Sequence, residues 1–375
     1  MDERDERHVA WAGGLCRSRR RRDMVISEPP VRVAGRRCVV LVSDWPGREP
    51  VTARPRVPEP GSALGDCLAL ATAAPSLHNS QPWLFRAHRA GIDVHADPKR
   101  RLAVLDPTGR EMWISVAAAL LNLRVAVAYR GRTPLLRLLP APSAEFLVAR
   151  VSAGPRGPVS PTVRALARAI PRRRSNRWPF SDLAVPSGVL EELVAAAAVE
   201  GAILRVAGPG ARVRVLGLAQ EAEQRWRPDS DYRRELAEWT LETPDRRDGV
   251  PGPAMGPRSA DDALPMRDFG LVRPGARRPR LDFEGRPTIA MVYTGGDTPR
   301  HWLQAGQALQ RVLLTATARG VASNLLTQPL EIPQLRRRLT DPATGWVPQA
   351  IVRLGYTRRV GAATPRRPLG DVLVT

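Results

Sequence analysis

The sequence predicts an α+β chain built as two copies of one helix-and-strand unit. Three observations carry that reading. Segments of helical and strand period alternate from Ser62 onward. A stretch around Trp113 returns 189 residues later, where Trp113 matches Trp302, Ala119 matches Ala308, Leu120 matches Leu309, and Arg130-Gly131 matches Arg319-Gly320. Leu190–Ala197, an Ala-rich amphipathic helix start, resembles Leu64–Ala71. The expected halves are residues 59–159 and 160–375, behind a poorly packed tail at 1–58 that carries charge clusters and prolines. Met24 is a candidate alternative start, and no function is expected in the tail.

Each element follows from local pattern. Ser62 caps a helix whose Leu64, Leu68 and Ala71 share one face, and Pro75 ends it. Trp83–His88 and Ile92–Ala96 read as strands around Gly91. Leu102–Leu105 reads as a third strand, Asp106-Pro107-Thr108-Gly109 as a turn, and Arg110 to Tyr129 as a helix that Gly131 closes. In the second half the pattern gives a helix over Gly188–Ala198 and a strand over Thr288–Tyr293, followed by the helix containing Trp302. Between them lies an insertion, Gln224–Pro279. It has one short helix, Tyr232–Leu241, and then a loop rich in Gly, Pro, Asp and Arg. Segments of this length are lids or disorder, and Trp226, Tyr232, Trp239 and Phe269 favour a lid.

Composition excludes several classes. With 375 residues, 43% of them apolar, the chain can bury a sizeable core. The formal charge of +21 suggests nucleic acid, but its cations are almost all arginine, with Lys99 the one lysine, and they are spread along the chain. No nucleic-acid partner is expected. Cys16, Cys38 and Cys67 are too scattered for a disulfide framework, and the five histidines form no ligand spacing, so no metal is expected. Apolar runs such as Val116–Leu123 stop short of the ~20 residues of a membrane span. No leader is legible, and a soluble, cytoplasmic protein is expected.

Three segments carry chemistry. Ala74–Trp83 sets Ser, His, Asn and Gln between two prolines, a rigid array suited to a planar polar heterocycle. Pro82 is expected to hold Gln81 extended. Arg172-Arg173-Arg174-Ser175-Asn176-Arg177 offers guanidinium groups and a hydroxyl for a phosphate monoester. Thr364-Pro365-Arg366-Arg367-Pro368 holds two arginines in a stiff loop.

Together these segments resemble the nitroreductase family. Pro-Ser-x-x-Asn-x-Gln-Pro-Trp at Pro75–Trp83 resembles its flavin-contacting segment, Arg-Arg-Ser-x-Arg at Arg173–Arg177 its FMN-phosphate motif, and Arg366-Arg367 its C-terminal basic pair. Companion stretches at Asp106–Arg110, Asp231–Trp239 and Arg247–Pro251 are similar to the Acg-type branch, over about residues 60–375. The resemblance implies FMN as cofactor. Arg173, Ser175, Arg177, Arg366 and Arg367 would hold its phosphate, and Pro75, Ser76, Asn79 and Gln81 would contact its ribityl chain and ring. His78 would either donate to a ring carbonyl or be a buried structural histidine. Asn324 to Gln328 corresponds loosely to the backbone near the reactive edge.

Ordinary members are homodimers with two sites. Here the Pro-Ser segment lies in the first half and both basic motifs in the second, and Glu200-Gly201 stands where the second half needs Pro-Ser. The resemblance therefore implies a nitroreductase-like single-chain pseudo-dimer, monomeric, with one site kept. Two functions remain open. One is a ping-pong reductase passing hydride from NAD(P)H through FMN to a nitroaromatic or quinone, with no catalytic protein residue. The other is a non-catalytic protein that sequesters, stores or senses the flavin under its lid.

Overall fold

The computed structural model describes residues 61–141, 143–260, 264–273, 277–357 and 359–374. The expected tail at 1–58 lies outside the described residues.

The first part of the chain is built on a short helix, a meander and a long helix. Helix α1 (Ala63–Thr72) starts at Ser62, whose hydroxyl accepts from Gly65 N. Strands β1 (Trp83–His88) and β2 (Gly91–Ala96) pair antiparallel, with Trp83 opposite Ala96. Helix α2 (Arg110–Tyr129) follows the Asp106 turn; the Asp106 carboxylate accepts from Glu111 N and Met112 N, capping the helix one turn early. Strands β3 (Arg132–Leu138) and β4 (Leu147–Arg156) complete a sheet of order β1-β2-β4-β3. The strand expected at Leu102–Leu105 is a series of turns instead. Asp106-Pro107 breaks extension there, and both leucines are buried beneath the insertion.

Helices α3 (Pro161–Ala169) and α4 (Ser187–Val199) lead into strand β5 (Ile203–Val206) and helix α5 (Pro209–Trp226). The insertion contributes α6 (Ser230–Thr240) and β6 (Arg258–Ser259), which pairs in parallel with β7 (Arg280–Leu281) just past its end. Strand β8 (Thr288–Thr294), helix α7 (Pro299–Ala318) and strands β9 (Ala322–Leu325) and β10 (Val347–Gly355) close a second antiparallel sheet, β5-β8-β10-β9.

The centre is the α2–α7 pair. Gly306 permits it, because a Cβ there would lie 2.2 Å from the Ile114 carbonyl and 2.6 Å from Ala117 Cβ. Gln310 Nε2 donates to Asn122 Oδ1 across this contact at 2.7 Å, and Asn122 Nδ2 donates to Leu70 O, which ties α1 to the central pair. By length and composition α2 could cross a membrane, but most of it is buried inside the protein. The C-terminus returns to the first sheet, where Leu373 bridges Phe85 on the β1 edge and Val374 N donates to Phe85 O.

Candidate functional site

The Pro75–Trp83 loop adopts a costly backbone. His78, Asn79 and Gln81 have φ of 48°, 57° and 52°, the left-handed region that non-glycine residues avoid. Gln81 is thus not extended as Pro82 led us to expect. Four hydrogen bonds outweigh the pre-proline bias. Gln81 N donates to Ser76 Oγ, Gln81 Nε2 to Arg247 O, Arg367 N to Gln81 Oε1, and Arg367 Nη1 to Gln81 O. Asn79 is tied equally closely. Its Nδ2 donates to Gly249 O and Pro365 O at 3.0 Å, and Arg366 Nη1 donates to its Oδ1. These two amides fasten the insertion and the C-terminal loop onto the first sheet.

Two adjoining cavities lie beside this loop. One, about 770 Å³ with its open mouth included, is lined by Pro75, Ser76, Asn79, Arg173, Arg174, Ser175, Arg177, Thr364 and Arg366 among others, none of them acidic. The other, about 790 Å³, shares Pro75, Ser76, Ser175 and Arg177 and continues between His78, Glu111, Arg267, Phe269 and Asn324.

The first cavity is electrostatically incomplete. The Arg173 side chain is 4% exposed and makes no hydrogen bond among the described residues; its Nε and Nη1 are buried without partners. Burial first, then Arg366, Arg174 and Arg177, pulls its pKa down to about 9. Arg177 falls to about 10 through burial and then Arg267, and Arg366 to about 10 through burial and then Arg174. Arg366 spends its terminal nitrogens on Asn79, Thr364, Pro365, Ala73 and Ala74, which leaves Nε unpaired among the described residues. Buried cations are ordinarily paired, so this cluster calls for an anion. A phosphate would satisfy it by charge-assisted bonds.

The second cavity is flatter in chemistry. Ile114, Ala118, Leu309, Leu325, Met266 and Phe269 supply apolar walls. His78 is buried with neither ring nitrogen bonded among the described residues and meets Phe269 edge-on at 5.0 Å. Burial, then Arg267 and Arg177, pushes its pKa well below the usual histidine range, so the ring is neutral. Arg177 sits 4.6 Å over the Phe269 ring. Arg267 is buried, and burial opposes its charge, yet Glu331 outweighs that and raises its pKa; both Glu331 oxygens accept from it at 2.6 Å.

The structure brings together Pro75, Ser76, His78, Asn79, Arg173, Ser175, Arg177, Asn324 and Arg366 along the two cavities. Gln81, Gln328 and Arg367 line neither. Gln328 donates to Pro265 O of the insertion, and Arg367 bonds Gln81. Sequence reasoning passed over Glu111, Ser115, Arg174, Arg267 and Thr327. Arg174 belonged to a run already singled out; for the others no local pattern signals a cavity.

The nitroreductase family model matches residues 170–356. A Mycobacterium tuberculosis protein named "Putative NAD(P)H nitroreductase Rv3131" is 32% identical over 336 residues, 87% of this chain and 95% of that protein. The chain belongs to the nitroreductase family. A second M. tuberculosis nitroreductase-family protein, named "Putative NAD(P)H nitroreductase acg", is 31% identical over 319 residues, 82% of this chain and 94% of its own length. Among solved nitroreductase structures, FMN-dependent NfnB from Mycobacterium smegmatis in complex with NADPH aligns with a TM-score of 0.35 and 19% identity, over 56% of this chain and 96% of that one. The segment matched by the nitroreductase model contains Arg173, Ser175, Arg177, Asn324 and Gln328; Pro75–Gln81 and the Arg366-Arg367 pair lie outside it.

Proposed function

We propose that the protein binds one FMN across the two cavities and works as an NAD(P)H-dependent oxidoreductase toward a small acceptor, a nitroaromatic or quinone, in a ping-pong cycle. The observation that carries the reading is Arg173, a buried guanidinium with no partner among the described residues, in a cavity that adjoins one with apolar walls. Relatives named as NAD(P)H nitroreductases at 31–32% identity supply the donor class. In this reading Arg173 and Arg366 bond the phosphate through their free nitrogens, and Ser175 and Arg177 flank it. Ile114, Leu309 and Leu325 hold the ring and Phe269 excludes water from it. When bound, FMN supplies the two-electron chemistry.

The same proposal includes a monomeric pseudo-dimer with one site. Both sheets are four-stranded and antiparallel, and each leans on one long helix of the central pair. At the place of the second site, Glu200 is bonded by Arg124 and Arg311, one from each central helix, so ion pairs fill what a ligand would need. A cytoplasmic setting completes the proposal.

The insertion supports a second reading, a protein that sequesters or senses FMN without turnover. Met266, Arg267 and Phe269 wall the ring cavity, and Gly249 and Arg247 bond the loop beneath. Anaerobic NADPH added to the FMN-loaded chain separates the two. Prompt bleaching of the flavin absorbance supports the reductase, and a persistent spectrum that bleaches in Phe269→Ala supports sequestration. A chain that takes up no FMN refutes both.

A further inference from the structure

The ring cavity holds one acidic side chain among its lining residues, Glu111, at the start of α2. Its side chain is 8% exposed. Oε1 accepts from Arg110, and Oε2 has no hydrogen bond among the described residues. Arg110 is itself committed elsewhere, donating to Gln349 O at 2.9 Å and Leu330 O at 3.3 Å. Ser115 is turned away, donating to Glu111 O at 2.8 Å. The cavity thus contains a carboxyl with one oxygen free of partners among the described residues, beside a neutral histidine and two guanidinium groups.

We infer that Glu111 exchanges a proton with the ligand in this cavity, a role in the cycle beyond holding the cofactor. The inference rests on the FMN reading above. In the first half-cycle NAD(P)H delivers a hydride, two electrons and one proton, and departs as NAD(P)⁺. Glu111 gives the ring a second proton from Oε2 and is left as a carboxylate. The acceptor then takes both hydrogens and both electrons from the cofactor, and Glu111 recovers a proton from solvent. Atoms and charge balance without any further reactant.

The surroundings suit a group that both holds and gives up a proton near neutrality. Burial raises the Glu111 pKa to about 7, Arg110 and Arg336 oppose the rise, and Asp106 and Glu331 add to it. The neutral His78 and the cations Arg177 and Arg267 line the same cavity, and Arg110 and Arg336 are the cations that favour the carboxylate once the proton has left. Asp106 is occupied by the two backbone amides it caps, and Glu331 by Arg267, so neither competes for the role.

The test uses the FMN-loaded full chain and begins with flavin absorbance. If neither wild type nor Glu111→Gln takes up FMN, the cofactor reading has failed. With FMN bound to both, the midpoint potential is measured against pH. The slope in wild type should bend near pH 7, and the bend should be lost in Glu111→Gln, with kcat lowered on the order of 10²-fold. An unchanged bend in Glu111→Gln overturns the inference. Should that variant not fold, the reduced-minus-oxidised infrared spectrum of wild type carrying ¹³C-labelled glutamate decides. Loss of a labelled protonated-carboxyl band on reduction supports the inference, and its absence overturns it.

Discussion

Replacing Arg173 by methionine should stabilise the free protein and weaken its hold on FMN. In the free protein this side chain makes no hydrogen bond among the described residues, is 4% exposed, and has its pKa drawn down to about 9 by burial and by Arg366, Arg174 and Arg177. Removing such a charge in favour of an apolar side chain of similar length relieves desolvation and repulsion, a gain of about 1–4 kcal/mol. That corresponds to a rise of several degrees in Tm at ~2–4 °C per kcal/mol. With FMN present a lost phosphate contact offsets that gain. Each charge-assisted hydrogen bond to phosphate contributes about 1.5–3 kcal/mol, so losing one weakens FMN binding by about 10- to 150-fold. Thermal unfolding of both forms, with FMN fluorescence quenching for the affinity, reads the two effects together. A free Arg173→Met protein that melts below wild type, or one that binds FMN as tightly, would refute the reasoning.

Further outcomes follow from the same structure. Glu111 has its folded pKa raised from 4.5 to about 7, so the stability it contributes is present below about pH 4.5 and lost as pH rises through about 7. Urea midpoints of the FMN-free wild type should therefore fall relative to Glu111→Gln across that window and run parallel above it. Gly306→Val would drive side-chain carbon into the Ile114 carbonyl at the α2–α7 contact, costing at least about 1–3 kcal/mol and lowering Tm. Arg267→Met strands Glu331, whose side chain is fully buried, at a cost of about 3–5 kcal/mol; the double variant with Glu331→Leu should recover most of it in denaturant melts. Phe269→Ala should raise iodide quenching of bound FMN several-fold, since Phe269 walls the ring cavity.

Much of this architecture was legible because its signals are local. Ser62, the Asp106 turn, Gly131 and the period of α2 fix their elements within a few residues. β10 was passed over because Pro348 and the buried Arg353, held by Glu284 and lying over Phe180, obscure its alternation. Leu102–Leu105 has a strand's composition but owes its burial to Tyr232 and Leu236, more than a hundred residues away. The site divides in the same way. Arg173, Ser175 and Arg177 stand together in one short run that the sequence itself singles out, whereas Glu111 reaches the cavity through the packing of α2 against α7. Gln81 shows the converse, since the motif marks it but the fold uses its amide to join Arg247 and Arg367.

The most direct test of the central claim is a native mass spectrum of the full chain with FMN, beside the Arg173→Met variant under the same conditions. The account predicts one FMN per monomeric chain, retained by wild type and largely lost from the variant. No bound FMN, two per chain, or equal retention by the variant would contradict it.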